Sequence, residues 1–197
     1  GLLWRIEDVE VPSPNHFANL LISGAGLFTA LSSEVMGNSD FYTGAFPAEY
    51  GNATSGVFDI RLRTGNPSKR ESSFEVGLLG INFATEGPFK KGKDASYLFN
   101  YRYSTMALIS PILPDNSGIL KYQDLSFKIN LPTKNAGTFS LWGIGAYDGI
   151  DTDPLDSDEW ESISDKENSR TSLYMYATGI NHKVTLWSNA LLNTAIA

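Results

Sequence analysis

Polar and apolar residues alternate along most of this chain, most sharply in its second half. From Ala95 to Ala107 the odd positions carry Tyr97, Phe99, Tyr101 and Tyr103, and the even ones carry Ser96, Asn100, Arg102 and Ser104. The device repeats from Leu120 to Leu131. Gln123, Leu125, Phe127, Ile129 and Leu131 share one face, and Tyr122, Asp124, Ser126, Lys128 and Asn130 the other. A two-residue period is that of a β-strand whose faces meet different surroundings. Further strands are predicted over Glu71 to Leu79 and Asn82 to Phe89, joined near Gly80, and over Thr138 to Tyr147. A last pair, Thr171 to Asn181 and Val184 to Ile196, is expected around a tight turn at His182-Lys183. The pattern amounts to an antiparallel meander of about seven strands. Its connections alternate between short (Lys90 to Asp94, Pro132 to Gly137) and long (Ser110 to Gly118, Asp148 to about Arg170).

The first third has a different texture. Trp4 to Val11 alternates well enough for a strand or hairpin around Glu7-Asp8, and Pro12 and Pro14 then break it. A short helix near Ala30 to Met36 is expected, with Thr29 or Ser32 as its cap. Asp40 to Gly65 sets two β-rich runs, Phe41-Tyr42 and Val57 to Leu62, around a centre rich in turn residues: Gly44, Pro47, Gly51, Asn52 and Gly56. The fold expected is therefore mainly β.

Composition narrows the class. Cysteine is absent from the 197 residues, which removes disulfide frameworks and thiolate metal sites. Net charge is −7, against broad binding of a phosphate backbone, so no nucleic-acid partner is expected. Most of that charge lies between Asp148 and Glu167, a solvated external loop on this reading. Calcium would suit its carboxylates, but EF-hand spacing is missing. No apolar run is long enough for a transmembrane helix, a test that says nothing of a membrane barrel, whose strands alternate. Arg102, Asp124 and Lys128 all fall on the polar face of their strands, sparing the other face a charge that would cost roughly 2–4 kcal/mol in mid-bilayer. A soluble β-sandwich with one wet face would alternate too.

The residues themselves separate these options. FYTGAFPAEYGNATSGVFDIRLRTGN resembles the closing segment of the plug domain of TonB-dependent outer-membrane receptors, and IEDVEVPSPNHF is similar to an earlier part of it. GLLGINFATEGPFKKGKDASYLFNYRYS is similar to the family's first barrel strands. The resemblance implies a C-terminal part of a plug over 1–66 and an incomplete transmembrane β-barrel over 67–197, roughly a third of a barrel of about 22 strands. The start at Gly1 and the stop within LWSNALLNTAIA then read as those of a fragment.

The function so implied is binding and import of a scarce nutrient by energised rearrangement of the plug, in the bacterial outer membrane. TonB and its inner-membrane complex would act through a segment outside these residues. Outer-membrane lipid is the second partner, and a surface lipoprotein partner would mark glycan or peptide uptake. No cofactor is implied. The alternative of another class is a soluble carbohydrate-binding or adhesin-like β-domain.

Catalysis has no constellation to rest on. His16 and His182 belong to no metal motif, and there is no GxSxG elbow, P-loop or CxxC. By resemblance, upper plug loops face the external vestibule, which singles out Asn15, His16, Phe17, Glu49 and Tyr50 for substrate contact. Arg102 and Lys128, facing the lumen, are expected to pair with plug carboxylates such as Glu49.

Overall fold

The structure, a computed structural model, describes residues 1–18, 26, 28–78, 80–106, 119–152, 154, 157, 160, 166–187 and 189–197. The described residues are mainly β and fall into a small N-terminal unit and a large sheet.

The N-terminal unit is built on four strands: β1 (Leu2–Ile6), β2 (Val9–Val11), β5 (Asp40–Tyr42) and β6 (Gly56–Ile60), in the order β2-β1-β6-β5. Its only parallel pair, among the described residues, is β1 with β6; the intervening chain supplies the crossover a parallel pair requires. Trp4, Phe58 and Phe41 fall in one register row and stack, with ring centroids 4.1 and 4.2 Å apart. Two short strands within the crossover, β3 (Asn15–His16) and β4 (Phe28–Thr29), pair antiparallel. The helix expected near Ala30 to Met36 is not formed. The Ser32 hydroxyl accepts from the Glu34 amide, Val35 turns back onto the Ser32 carbonyl at 3.1 Å, and Met36 bridges Leu62. Serine next to a free amide offers the backbone a turn that competes with helix.

The large sheet runs β7 (Glu71–Val76), β8 (Gly80–Pro88), β9 (Ser96–Ser104), β10 (Ile119–Pro132), β11 (Thr138–Thr152), β12 (Ser169–Leu186) and β13 (Ala190–Ile196), each antiparallel to its sequence neighbours. The seven-strand meander thus forms as expected, with two corrections. β12 passes straight through His182-Lys183, and the chain reverses at Trp187, where φ is 57°. Val184 and Leu186 simply continue the outward face of Tyr176 and Ile180. His182 is a strand residue, stacked on Phe139 at 4.2 Å, its Nε2 2.6 Å from the Ala136 carbonyl. The second correction concerns Asp148, expected in the acidic loop. β11 runs on to Thr152 and carries Asp148 on the same face as Trp142, Ile144 and Ala146. Most of the acidic stretch beyond lies outside the described residues, so its loop and calcium readings do too.

The two faces of the sheet differ along its whole length. One presents register rows that begin with Tyr103, Gln123, Tyr147 and Tyr174, pass through Phe99 and Phe127, then Tyr97, Ile129, Leu141 and Ile180, and end at Leu131, Phe139 and His182. Lys121 shares this face near its end, where Asp151 accepts from it. The other face receives the N-terminal unit. Ile6, Ala30, Leu31, Val35, Ile60 and Leu62 from that unit form one buried cluster with Leu98, Trp142 and Ile144 from the sheet. Each such side chain withdrawn from water contributes roughly 1.5–3 kcal/mol, so this cluster is the main force holding the two parts together. The join is close elsewhere: a Cβ on Gly65 would stand 1.9 Å from the Tyr97 carbonyl oxygen, so glycine is required for the chain to cross β9 there.

Candidate functional site

Buried charges are arranged at two places in the seam between the N-terminal unit and the sheet. The first is the β1–β2 turn, whose residues Glu7 and Asp8 have φ of 51° and 74°. A two-residue hairpin loop with both central residues left-handed follows the twist of its strands, but it ordinarily takes Asn-Gly. Holding side chains there costs on the order of 1–3 kcal/mol apiece and persists only where the surroundings over-determine it. Here they do. Glu7 Oε1 accepts from Lys128 Nζ at 2.7 Å and from the Leu62 amide at 2.7 Å, and Lys128 also donates to the Leu62 carbonyl at 2.9 Å. The Glu7 carbonyl accepts from Asn181 Nδ2 at 2.6 Å, and Asn181 Oδ1 accepts from Trp142 Nε1 at 2.8 Å. Asp8 lies 2.6 Å from Arg61 and accepts from Asn193 at 2.8 Å. One turn is thereby tied to β10, β11, β12 and β13.

Burial by itself would raise the Asp8 carboxyl. Hydrogen bonds from Arg61 and Asn193, with the charges of Arg61 and Lys183, overcome it and hold the pKa at about 2, below the ordinary 3.8. A depressed carboxylate contributes stability that is fully present above its unfolded value and is lost as pH falls through its folded one. Thermal midpoints are therefore expected to decline between about pH 4 and pH 2, and Asp8→Asn to remove part of that decline.

The second place is β3, near the opposite end of the same strands. His16 is fully buried between two carboxylates of the sheet. Its Nδ1 lies 2.5 Å from Asp148 Oδ1 and its Nε2 3.0 Å from Asp124 Oδ2. Asp124 is also gripped by Arg102, with Nε 3.0 Å from both carboxylate oxygens, and Arg102 donates a further bond to the Thr29 carbonyl at 2.5 Å. Phe17, at φ 56°, turns its amide onto Asp148 Oδ2 at 2.7 Å. The Tyr122 ring completes the enclosure, its centroid 4.6 Å from that of the imidazole.

These contacts redistribute the roles expected from sequence. Lys128 and Arg102 do face the N-terminal unit, but neither reaches Glu49: Lys128 meets Glu7, and Arg102 meets Asp124 and Thr29. Glu49 pairs instead with Arg5 at 3.0 Å, inside its own unit. The Tyr50 hydroxyl donates to Asp59 at 2.8 Å, and burial together with that bond pushes the phenol above its ordinary range. Glu49 and Tyr50 therefore make their side-chain contacts within their own unit, with Arg5 on β1 and Asp59 on β6. Of the five residues expected to contact substrate, His16, Phe17 and Tyr50 are buried, Asn15 is half-buried and donates to Ser13, and Glu49 is exposed.

Glu7, Asp124, Asp148, Asn181 and Trp142 carry the seam, and none was singled out as a site residue from sequence. Asp124 does stand on the inward face of its strand, a signal available from alternation alone, whereas Asp148 lies one residue past the strand read from sequence and joins that face only because β11 runs on. Glu7 and Asn181 had no comparable signal, since only the docked turn brings them together.

The whole arrangement, a small mixed sheet seated on one face of an antiparallel meander, occurs in a solved structure. The siderophore receptor PirA from Acinetobacter baumannii superposes with a TM-score of 0.64 over 98% of this chain, at 17% sequence identity. The chain has the fold of part of a siderophore receptor. It spans 31% of that receptor's length. No protein-family model matches the sequence, and no curated protein does.

Proposed function

We propose that the chain is part of a TonB-dependent outer-membrane receptor, with 1–66 as the later part of its plug and 67–197 as its first barrel strands. The observation that carries this reading is the division of the large sheet into two faces. A unit anchored by buried charges covers one, while the other bears an apolar band edged at one end by tyrosines. Along β11 that band runs from Tyr147 to Phe139, roughly 27 Å at the rise of a strand. Tilted by about 40°, as barrel strands are, it stands roughly 20 Å tall, close to the apolar belt of about 25 Å on outer-membrane barrels. A soluble sandwich would cover that face with a second sheet.

On this reading the receptor binds a scarce nutrient outside, and energy delivered through TonB rearranges the plug to admit it. The two charged places in the seam are what such a rearrangement has to disturb, and Glu49, still exposed, remains a candidate for cargo contact. With a siderophore receptor as structural neighbour, ferric chelates are the first cargo to test. The full-length protein is expected to migrate faster in detergent gels unheated than boiled, and to bind a ferric chelate in a titration of the purified receptor. Heat-independent migration of a soluble monomer would remove the receptor reading and favour the carbohydrate-binding or adhesin-like alternative.

A further inference from the structure

Every hydrogen-bonding position of the buried His16 ring points at a carboxylate, and this dictates its protonation. A neutral imidazole has one donor nitrogen and one acceptor nitrogen, so one of the two would set a lone pair against a carboxylate oxygen. With both carboxylates ionised, only the imidazolium satisfies Asp148 Oδ1, at 2.5 Å, and Asp124 Oδ2, at 3.0 Å, together. Charge leads to the same result. The groups facing the ring are the carboxylates of Asp124 on β10 and Asp148 on β11, with Arg102 on β9 bonded to Asp124, and the phenol of Tyr122 on β10; Phe17 and Phe28 add aromatic rings around it. Two carboxylates and one guanidinium leave one negative charge, which the imidazolium cancels.

We propose that His16 is a proton-operated latch: as imidazolium it fastens the β3–β4 segment to β10 and β11, and on losing a proton it lets that segment go. Among the described residues, few other polar contacts hold β3 and β4 to the strands of the sheet. The described ones are the Phe17 amide on Asp148 and the Arg102 bond to the Thr29 carbonyl, and both depend on the same two carboxylates staying in place. Burial disfavours the charged ring, but the bonds to Asp124 and Asp148, and their charges, outweigh it and hold the His16 pKa above its ordinary 6.5. A raised histidine contributes stability that is fully present below its unfolded value and is lost as pH rises through its folded one. The latch therefore closes in acid and opens in base. Each unit by which docking raises the pKa makes docking about tenfold weaker once the proton is gone.

The latch concerns contacts within this chain and stands apart from the receptor reading, whose own test is heat-modifiable migration in the same samples. The experiment is hydrogen exchange on the full-length folded protein between pH 6 and pH 9, corrected for the intrinsic pH dependence of exchange. The amides of Asn15 to Ala18 and of Phe28 and Thr29 are expected to lose protection at least about tenfold across that range while β10 and β11 keep theirs. Asp148→Asn is the informative variant. Its amide nitrogen can donate to a neutral imidazole while its oxygen still accepts from the Phe17 amide, so the segment is expected to stay protected at pH 9. His16→Gln is expected to leave it unprotected at every pH. Protection in the wild type that does not change with pH would overturn the latch, and so would a transition that survives unaltered in both variants.

Discussion

Lys128→Met is expected to loosen the N-terminal unit and lower the stability of the folded protein by about 3–5 kcal/mol, the range for leaving a buried charge without its partner. Both side chains of the pair are nearly inaccessible, 9% exposed for Lys128 and 3% for Glu7. The ammonium also serves the Leu62 carbonyl, so its removal leaves that acceptor unpaired as well. The cost should fall chiefly on the orphaned carboxylate. Adding Glu7→Gln to Lys128→Met is therefore expected to recover most of the loss, since the amide oxygen still accepts from the Leu62 amide and no charge remains. Denaturant unfolding in detergent, with protease sensitivity of residues 1–66 as a second readout, measures both. An equal loss in the single and double variants would place the cost on Leu62 and overturn the ion-pair account.

Trp142→Ala is expected to cost roughly as much, about 3–5 kcal/mol, by a different route. The indole is wholly buried at the centre of the cluster shared by the two units and lies across Gly179, where a Cβ would come within 2.9 Å of the ring. Its removal opens a cavity where the unit and the sheet touch, and deprives Asn181 Oδ1 of its donor. Trp142→Phe keeps much of the volume and loses the hydrogen bond, so a smaller loss of about 1–3 kcal/mol is expected. If the two variants were equally destabilised, the bond and not the packing would dominate the site.

The two effects share a logic. The apolar cluster supplies adhesion without direction, and the ion pairs and hydrogen bonds on Glu7, Asp8 and His16 set where on the sheet the unit sits. Short polar contacts inside a seam are costly to separate and cheap to re-form in one place only. A unit held in this way stays in register until something removes a charge or a proton.

Much of the fold was legible in the residues. A strand buries one face and wets or greases the other, so its period of two survives in sequence whatever the surroundings. That is why the odd face of Tyr97 to Tyr103, the polar face of Asp124 and Lys128, and the hairpin around Glu7-Asp8 could be read without coordinates. Where local chemistry was ambiguous the reading slipped. Ser32 and small residues around it suit a helix cap or a turn, and His182-Lys183 looks like a reversal although β12 runs straight through it.

The partners of the charges were decided by tertiary structure alone. Arg102 and Lys128 advertise inward-facing cations; Arg102 meets Asp124, opposite it across β9 and β10, but which carboxylate meets Lys128 depends on where a separate unit comes to rest. The shared core of Ile6, Leu31, Val35 and Trp142 holds the unit against the sheet there, through contacts between residues far apart in the chain. So the sequence by itself determined the strands and the chemistry each face would offer. The packing of one unit on the other decided that Glu7 meets Lys128 and that His16 lies between two carboxylates, and the fold of the N-terminal unit decided that Glu49 meets Arg5. Alternation is a local property of the backbone, whereas an ion pair across a seam exists only once two surfaces have been brought together.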